Sequence, residues 1–394
     1  MTLLGWIIFI FAFLFSIMLH EAGHFVTAKK FGMKVTQFFV GFGQTLWSKM
    51  RGETEYGIKA IPAGGFVKIA GMTALEDVDP ADEPRSFRSH PGWQRIVVLA
   101  AGSFMHFVLA FVLLLILAGG IGLAHSNTST VGAITPCVPK SISQATCVKG
   151  DKSSPAAKSG IQAGDKILAV AGKPVHGWTQ LGAAIRAQQP GKPVAFTVLR
   201  GGKRITLHAT LTSVNGRSGA YLGVSPAVIF QTLSPTAAVS YAGSEFANIV
   251  TGSVKAAGDI PKAIPKLFAK NRSSTAGGQV TSVIGAGEIT GQTFAAQVGW
   301  QTKVSLVLFI VISLNIFVGL FNLLPVLPLD GGSLAVVIYE RIRAWLARLR
   351  GRPDPGLVDM RKLVPVSVGV FALLVGFGLL LILADLVNPV HLPT

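Results

Sequence analysis

The chain alternates long apolar stretches with segments that are richer in charge. Four apolar stretches stand out, at roughly 3–26, 96–124, 304–329 and 364–387. A helix needs about 20 mostly apolar residues to cross the roughly 30 Å hydrocarbon core of a bilayer, and all four meet this length. The pattern therefore predicts a polytopic α-helical membrane protein with four transmembrane helices.

Composition favours the same class. Hydrophobic residues make up 50% of the 394 residues and charged residues 13%, whereas a soluble domain has about 25% charged residues. The first apolar stretch has no basic residue before it and is followed by Lys29 and Lys30. A signal peptide places its basic residues first, so we expect this stretch to be a retained span.

The formal net charge of +17 could indicate nucleic-acid binding, so its distribution matters. There are 10 Lys/Arg in residues 29–95 and 7 in residues 341–362, but 18 in the much longer stretch 125–303. Basic residues that gather beside apolar spans follow the positive-inside rule. We therefore expect the lipid bilayer and no nucleic acid as a partner, with 29–95 and 339–363 cytoplasmic. Both termini and residues 125–303 would be extracytoplasmic.

Two runs between the first and second spans have the pattern of strands. Residues 38–43 and 55–71 are expected to form short strands joined by glycine turns, followed by a solvated loop over 73–92. Few charges and many glycines between two spans favour a β-hairpin that dips to membrane level. Its exposed edge could pair with an extended peptide. A plain cytoplasmic hairpin is the alternative.

Residues 125–228 have the pattern of a compact α+β domain outside the membrane. Its loop at 221–224 contains a glycine and could offer backbone N–H groups to a chain-end carboxylate. The elements predicted inside the 125–228 domain are a helix at 178–188 and strands at 194–199 and 204–211, with 200–203 as the turn between them. After the domain, surface helices and a linker are expected over 229–303.

Only two cysteines occur, Cys137 and Cys147, and both fall in the region expected outside. An oxidising compartment favours a disulfide that closes a short loop between them. Two unpaired thiols in an irregular segment are the alternative.

The first span ends in His20-Glu21-Ala22-Gly23-His24. In a helix, His20 and His24 leave the same face and can bind one cation, for which zinc is the default metal with an open position for water. Glu21 lies further around the helix and suits a general base. The alternative is a chance pentapeptide with core histidines, but this composition would produce about 0.003 such matches. Ionisable residues inside a span are functional by default.

The third span ends in a second polar cluster that runs from Asn322 to Gly332 and contains Asp330. Prolines and glycines break the helix there, so the Asp330 carboxylate can turn toward a cavity. The first and third spans run in the same direction, which places Asp330 near the depth of the two histidines. An ordinary interfacial carboxylate is the alternative.

Other polar residues are expected to have supporting or interfacial roles. His106, inside the second span, is expected to support the site rather than bind the metal. Arg95 and Asp385 are expected at the membrane interface. An interfacial amphipathic helix on anionic lipid is predicted from one apolar face flanked by arginines, formed by Ile338, Ile342, Trp345 and Leu349.

Together these motifs resemble the site-2 protease family of intramembrane zinc metalloproteases. The likeness is to the bacterial branch with a single PDZ domain between the second and third spans, and especially to actinobacterial regulators of intramembrane proteolysis. In the second span the family usually has Gly-Pro and then Asn, whereas this chain has Gly102-Ser103 and His106. The segments that carry the resemblance are His20–His24, Gly64-Gly65-Phe66-Val67-Lys68, Gly160–Asp165 and Asn322–Gly332.

The resemblance implies roles for these positions. His20, His24 and Asp330 would be the Zn2+ ligands and Glu21 the general base. The residues implied to bind substrate are Asn322, Gly64, Gly65 and Phe66.

The resemblance also implies a substrate and partners. The substrate would be a single-span transmembrane protein such as an anti-sigma factor, already trimmed by an upstream site-1-type protease in regulated intramembrane proteolysis. The PDZ domain would exclude untrimmed substrates or bind the new chain end. The location would be the bacterial inner (plasma) membrane.

Two other functions are open from the residues alone. Broken helices with polar residues also occur in transporters, although no internal repeat of the spans is visible. A non-catalytic scaffold that presents the PDZ domain is the other.

The expected segments are 1–28 (first transmembrane helix), 29–95 (hairpin region), 96–124 (second helix), 125–228 (PDZ-like domain), 229–303 (surface helices and linker), 304–338 (third helix), 339–363 (amphipathic helix and loop) and 364–387 (fourth helix).

Overall fold

The computed structural model describes residues 2–73, 77–140, 147–216, 218–268, 282–296 and 298–388. The chain divides into two compact units, one formed by residues 1–120 with 234–393 and the other by residues 121–233. The helices are α1 (Thr2–Lys30), α2 (Gly92–Ile116), α3 (Pro155–Ser159), α4 (Gly177–Arg186), α5 (Pro235–Ala263), α6 (Val283–Ala295), α7 (Trp300–Asn322), α8 (Asp330–Leu349) and α9 (Val364–Val387). The strands are β1 (Val35–Arg51), β2 (Thr54–Ile69), β3 (Leu123–His125), β4 (Val131–Ile134), β5 (Lys166–Val170), β6 (Lys173–Pro174), β7 (Pro193–Arg200), β8 (Lys203–Thr210), β9 (Val224–Pro226) and β10 (Ile229–Gln231).

Four helices in the described part of the chain are long and apolar enough to cross a membrane. The predicted multi-pass helical class is therefore confirmed. The second helix starts before residue 96, at Gly92, and α2 continues through a π-helical turn only as far as Ile121. The four helices are Thr2–Lys30, Gly92–Ile121, Trp300–Asn322 and Met360–Val387.

The third span is shorter than the sequence predicts. Helix α7 ends at Asn322, and α8 begins at Asp330 after a break that contains Pro325 and Pro328. Proline lacks the N–H that a continuing helix needs, which explains the break. The boundary expected at residue 338 therefore falls inside α8, and the amphipathic helix begins at Asp330.

The hairpin strands are longer than the short strands that the sequence predicts. β1 and β2 pair antiparallel and are joined by a tight turn at Gly52 and Glu53. Both strands bend, so that residues 37–40 have partners on two sides, at 65–68 and at 55–58. Among the described strands, 65–69 has a partner on one side only and lies beside α1.

Ion pairs hold the hairpin turn against the end of α1. Glu53 accepts hydrogen bonds from Arg85 at 2.8 Å and from Lys29 at 2.7 Å. These hydrogen bonds, the one from Arg85 above all, lower the pKa of Glu53 to about 2. The turn is therefore tied to both neighbours by a carboxylate that stays charged.

The segment after β2 is more structured than the predicted solvated loop. Two 3₁₀ turns form at Glu83–Arg85 and Phe87–Ser89, and Phe87 is buried. Arg95 was expected at the membrane interface, but it is buried and donates to Glu340 of α8 at 2.8 Å. Its guanidinium also lies 5.1 Å from the centre of the Phe87 ring. Burial of this charge is tolerated because it is paired.

A buried apolar cluster lies next to the end of α1 that carries the histidines. It joins α1, both hairpin strands, the 3₁₀ turn, α2 and α8, so these elements cannot shift independently. Its members are Ala28, Met33, Val35, Ile69, Phe87, Val98, Leu99 and Val337.

Helices α5 and α6 both lie in the region where surface helices and a linker are expected, and most residues of α5 are exposed. Helix α5 buries Ala238 and Ala242, and its Phe246 packs edge-on against Phe107 of α2. Helix α6, which the sequence did not predict, lies against α1, where a Cβ at Gly5 would be 2.7 Å from the carbonyl oxygen of Thr290. Small residues allow this close approach. Much of the expected linker, residues 269–281, lies outside the described residues.

Asp385 near the end of α9 is also buried rather than interfacial. Its Oδ2 accepts hydrogen bonds from the backbone N–H and the hydroxyl of Ser282, at 2.7 and 2.5 Å. Ser282 caps the N-terminus of α6. Asp385 therefore joins α9 to α6.

The unit of residues 121–233 is an α+β structure with its own core. Its four-stranded sheet has the order β6-β5-β7-β8, and the predicted helix and strands agree with α4, β7 and β8 to within a few residues. Cys137 and Cys147 form a disulfide, as the sequence favoured. The largest fully buried side chains of the core are Ile167, Leu181, Phe196, Leu211 and Leu222.

An ion pair with a buried carboxylate joins the residue before β5 to the last residue of β7. Asp165 is 1% exposed and is bound in bidentate fashion by Arg200, with both N···O distances at 2.7 Å. It also accepts the backbone N–H of Gln162 at 2.8 Å. The hydrogen bonds from Arg200 are the main reason that the pKa of Asp165 is lowered.

Candidate metal centre

Helix α1 presents His20 and His24 on one face, as the i, i+4 spacing predicts. Both side chains are buried, and their Nε2 atoms lie 3.1 Å apart. The two rings meet edge to face with centroids 4.8 Å apart. The helix thus delivers two imidazole nitrogens to one point inside the protein.

Asp330 reaches the same point from the break between α7 and α8. Its Oδ2 lies 3.1 Å from Nε2 of His20 and 3.2 Å from Nε2 of His24. The backbone folds back tightly here, because a Cβ at Gly331 would lie 2.3 Å from the carbonyl carbon of Leu323. Glycine is needed at that position for the carboxylate to arrive where it does.

The three side chains fit a zinc ion by donor chemistry and by spacing. Two imidazoles and a carboxylate are a common set of protein ligands for catalytic zinc, with a fourth position left open. Tetrahedral ligands at 2.0–2.1 Å from a metal are about 3.3 Å from each other, close to the observed 3.1–3.2 Å. Lone pairs held this close in a buried site repel one another unless a cation or a proton lies between them. Among the described residues, His20, His24 and Asp330 form the group able to hold a metal.

The two histidines differ in whether their second ring nitrogen, Nδ1, has a hydrogen-bond partner. Nδ1 of His24 donates to the backbone carbonyl of Val98 at 2.7 Å, which leaves Nε2 with a free lone pair. Nδ1 of His20 is buried and has no hydrogen-bond partner among the described residues. His24 is therefore oriented by the α2 backbone, whereas His20 is not.

Gly102 of α2 forms the wall behind the two imidazoles. A Cβ at this position would lie 2.4 Å from Nε2 of His24 and 2.5 Å from Cε1 of His20. The rings therefore occupy space that a side chain would otherwise fill. Sequence reasoning did not identify this role for Gly102.

Glu21 lies beside the edge strand of the hairpin. Its Oε2 accepts the backbone N–H of Val67 at 3.0 Å. A Cβ at Gly65 would be 3.6 Å from Cγ of Glu21. The carboxylate is thus held between α1 and the 65–69 edge, adjacent to the histidines.

The other residues with expected roles lie around this edge and at the end of α7. Phe66 stacks on Phe39 with ring centroids 5.6 Å apart, and Gly64 has a φ of +153° and packs on Phe42. Asn322 is half-buried at the last position of α7. Among the described contacts its side chain has no hydrogen bond to the two histidines or to Asp330.

A buried polar chain lies on the other side of His20. His106 of α2 is hydrogen-bonded through Nδ1 to Oδ1 of Asn315 at 2.8 Å, and Nδ2 of Asn315 donates to Ser16 of α1 at 3.0 Å. The His106 ring centre is 5.0 Å from that of His20. An asparagine in an apolar span was visible in the sequence, but its partners were not.

Comparison with known proteins places the chain in a family. The model of peptidase family M50 matches residues 8–352, most of the chain. The chain belongs to peptidase family M50.

Relatives of this M50 chain cover most or all of its length. The zinc metalloprotease Rip1 of Mycobacterium tuberculosis is 36% identical over 410 residues, which cover 100% of this chain and 99% of Rip1. Rip1 of Mycolicibacterium smegmatis is 34% identical, with 99% of this chain and 98% of that protein covered. A putative zinc metalloprotease of Fusobacterium nucleatum is 31% identical, with 86% and 87% covered. The resemblance to site-2 proteases is confirmed, and the M50 chain is a metalloprotease.

Proposed function

We propose that this chain is an intramembrane zinc metalloprotease that hydrolyses a peptide bond in the transmembrane segment of a single-span membrane protein. The observation that carries the proposal is the cluster of His20, His24 and Asp330, whose ligand atoms lie 3.1–3.2 Å apart beside an apolar spanning helix. Relatives that are named zinc metalloproteases support the same metal. His20, His24 and Asp330 are the proposed zinc ligands.

Glu21 is the proposed general base. The chemistry that zinc supplies when bound is Lewis acidity, which activates water and polarises a carbonyl group. Glu21 takes a proton from the attacking water and passes it to the leaving amine. Because Oε2 accepts the N–H of Val67, the carboxylate is oriented and Oε1 remains to carry that proton.

The hairpin edge is the proposed binding site for the opened substrate. A transmembrane helix hides its carbonyls in its own hydrogen bonds, so the substrate must unwind before it is cut. An extended segment can then add to the 65–69 edge by strand pairing, and Gly64, Gly65 and Phe66 lie at this edge next to Glu21. Asn322, at the end of α7, is proposed to hold the substrate backbone near the metal.

The unit of residues 121–233 is the proposed PDZ-like domain. Its helix and antiparallel strands, together with the Gly160–Asp165 segment, support this proposal. It would exclude substrates with a large external domain, so that an anti-sigma-factor-like protein is cut only after an upstream site-1-type protease has trimmed it. A model substrate with a folded external domain should be cut slowly, and removal of that domain should restore cutting. Equal rates for both would contradict this role.

The proposed location is the bacterial inner membrane, with both termini and residues 121–233 outside. The charge distribution along the chain supports this orientation. In intact cells, an impermeant thiol reagent should label Lys203→Cys, whereas Arg350→Cys should be labelled only after the membrane is opened. The reverse pattern would invert the topology.

The central test uses purified full-length protein in detergent. Wild type should hold about one zinc per chain and cut a model transmembrane substrate. Glu21→Gln should retain the metal and lose cutting by roughly 100- to 10,000-fold, because a general base contributes that much. Glu245→Gln on α5 is the matched control and should behave as wild type. Equal cutting by Glu21→Gln would refute the role of Glu21 as general base, and no cutting by wild type would refute the protease proposal and favour a scaffold.

A further inference from the structure

Ser16, Asn315 and His106 form a buried polar chain that joins α1, α7 and α2. All three side chains are at most 4% exposed. Ser16 donates to the backbone carbonyl of Ala12 at 2.9 Å and accepts from Nδ2 of Asn315 at 3.0 Å. Burying these polar groups in an apolar bundle costs free energy unless each is hydrogen-bonded. Apolar side chains could fill the same space without hydrogen bonds, so the three polar residues point to a role beyond packing.

The partners of Asn315 determine which nitrogen of His106 carries the hydrogen. Nδ2 of Asn315 lies 2.8 Å from the backbone carbonyl of Val311. A carbonyl only accepts, so this contact fixes the orientation of the amide. The opposite end, Oδ1, therefore accepts from Nδ1 of His106. A neutral imidazole with its hydrogen on Nδ1 has a free lone pair on Nε2.

His20 needs a hydrogen-bond acceptor such as the free lone pair on Nε2 of His106. An imidazole that binds a metal through Nε2 carries its hydrogen on Nδ1, and metal-binding histidines almost always donate this hydrogen to an acceptor. For His24 that acceptor is the carbonyl of Val98. For His20 the described residues supply none, and its Nδ1 is buried. The ring of His106 lies beside it, with its centre 5.0 Å away and its plane inclined by 44°.

His106 is held firmly in this position. Its Cβ is close to α7, because a Cβ at Gly319 would lie 3.2 Å from it. The ring thus extends from the contact between α2 and α7 toward α1, with Nδ1 fixed by Asn315. These constraints set both the place and the tautomer of the imidazole.

We infer that His106 is a positioning residue for His20. The lone pair on Nε2 of His106 accepts the Nδ1–H of His20 through one bridging water, and so holds the His20 ring in the orientation and tautomer that present Nε2 to zinc. Asn315 and Ser16 act behind His106 by fixing its own tautomer. The inference rests on the proposed zinc site and adds the orienting partner that His20 lacks.

The test measures zinc affinity by competition with a chelator in the full-length protein, together with the visible absorption of Co2+ bound in place of zinc. His106→Leu should bind zinc roughly 10- to 100-fold more weakly, the usual cost of losing such a partner, and should change the Co2+ spectrum. His208→Leu, on the exposed face of β8, is the control and should bind zinc as wild type does.

Two polar variants separate positioning from packing. The side chain of His106→Gln reaches as far as Nε2 and keeps an acceptor there, so it should restore zinc affinity. His106→Asn reaches only as far as Nδ1 and keeps the contact with Asn315, so it should remain weak. Restoration by Asn and not by Gln would show that His106 serves only as a partner of Asn315.

Wild-type affinity in His106→Leu would also overturn the inference. This failure is distinct from failure of the proposed function, in which wild type itself would bind no zinc and cut no substrate.

Discussion

Gly102→Ala adds one methyl group directly behind the two imidazoles of the proposed metal site. The new Cβ would lie 2.4 Å from Nε2 of His24, 2.5 Å from Cε1 of His20 and 2.7 Å from Nε2 of His20. Ordinary contacts between such atoms are about 3.5 Å. Helix α1 cannot easily move to make room, because Gly23 already brings it against the α2 backbone at Ala101.

The size of the effect on zinc binding and cutting follows from how far the new methyl group must displace the imidazole rings. Relief of these contacts requires the rings or α2 to retreat by about 1 Å, whereas metal–ligand distances tolerate only about 0.2 Å. A 1 Å error in the position of catalytic groups costs on the order of 100-fold in rate. We therefore expect Gly102→Ala to lose most of its zinc and at least about 100-fold of its cutting rate.

The assay combines zinc content with cleavage of a model transmembrane substrate by purified protein. Gly376→Ala in α9 is the matched control, because a Cβ there meets no atom within 4 Å. It should retain both zinc and activity. If Gly102→Ala held one zinc per chain and cut at the wild-type rate, the inference that α2 packs closely behind the two imidazoles would be refuted.

Two further predictions concern other parts of the chain. Asp165→Asn should speed hydrogen exchange in β5 and β7 by roughly 10- to 100-fold at pH 7, because a hydrogen bond to a charged group contributes about 1.5–3 kcal/mol. The pKa of Asp165 is lowered mainly by Arg200. The slower exchange of wild type relative to Asp165→Asn should therefore be fully present above about pH 4, and the difference should shrink as pH falls through the lowered pKa. A difference in exchange rate that is independent of pH would contradict this pairing. Asp385→Ala removes two hydrogen bonds to Ser282 and should speed exchange at the N-terminal end of α6, whereas unchanged exchange there would show that α6 is held by packing alone.

The features that could be predicted from the sequence are those encoded locally. The length of an apolar run decides whether a helix can span a bilayer, so four spans were recognisable without any tertiary information. The spacing of His20 and His24 places both rings on one helix face. Prolines mark the break before Asp330, although not its extent. The hairpin between β7 and β8 follows from alternation around a glycine turn.

Residues that are distant in sequence come together only through the packing of helices and strands. His24 meets the carbonyl of Val98, 74 positions away, and His106 meets Asn315, 209 positions away. Such pairs depend on how helices pack, and no local pattern encodes that packing. Helix α6 was missed for the same reason, since its contact with α1 rests on glycines whose value lies in close approach. The four spans and the two histidines on one helix face follow from local sequence. Helix packing brings Asp330, Gly102 and His106 around those histidines, because coordination depends on three-dimensional distance rather than on spacing along the chain.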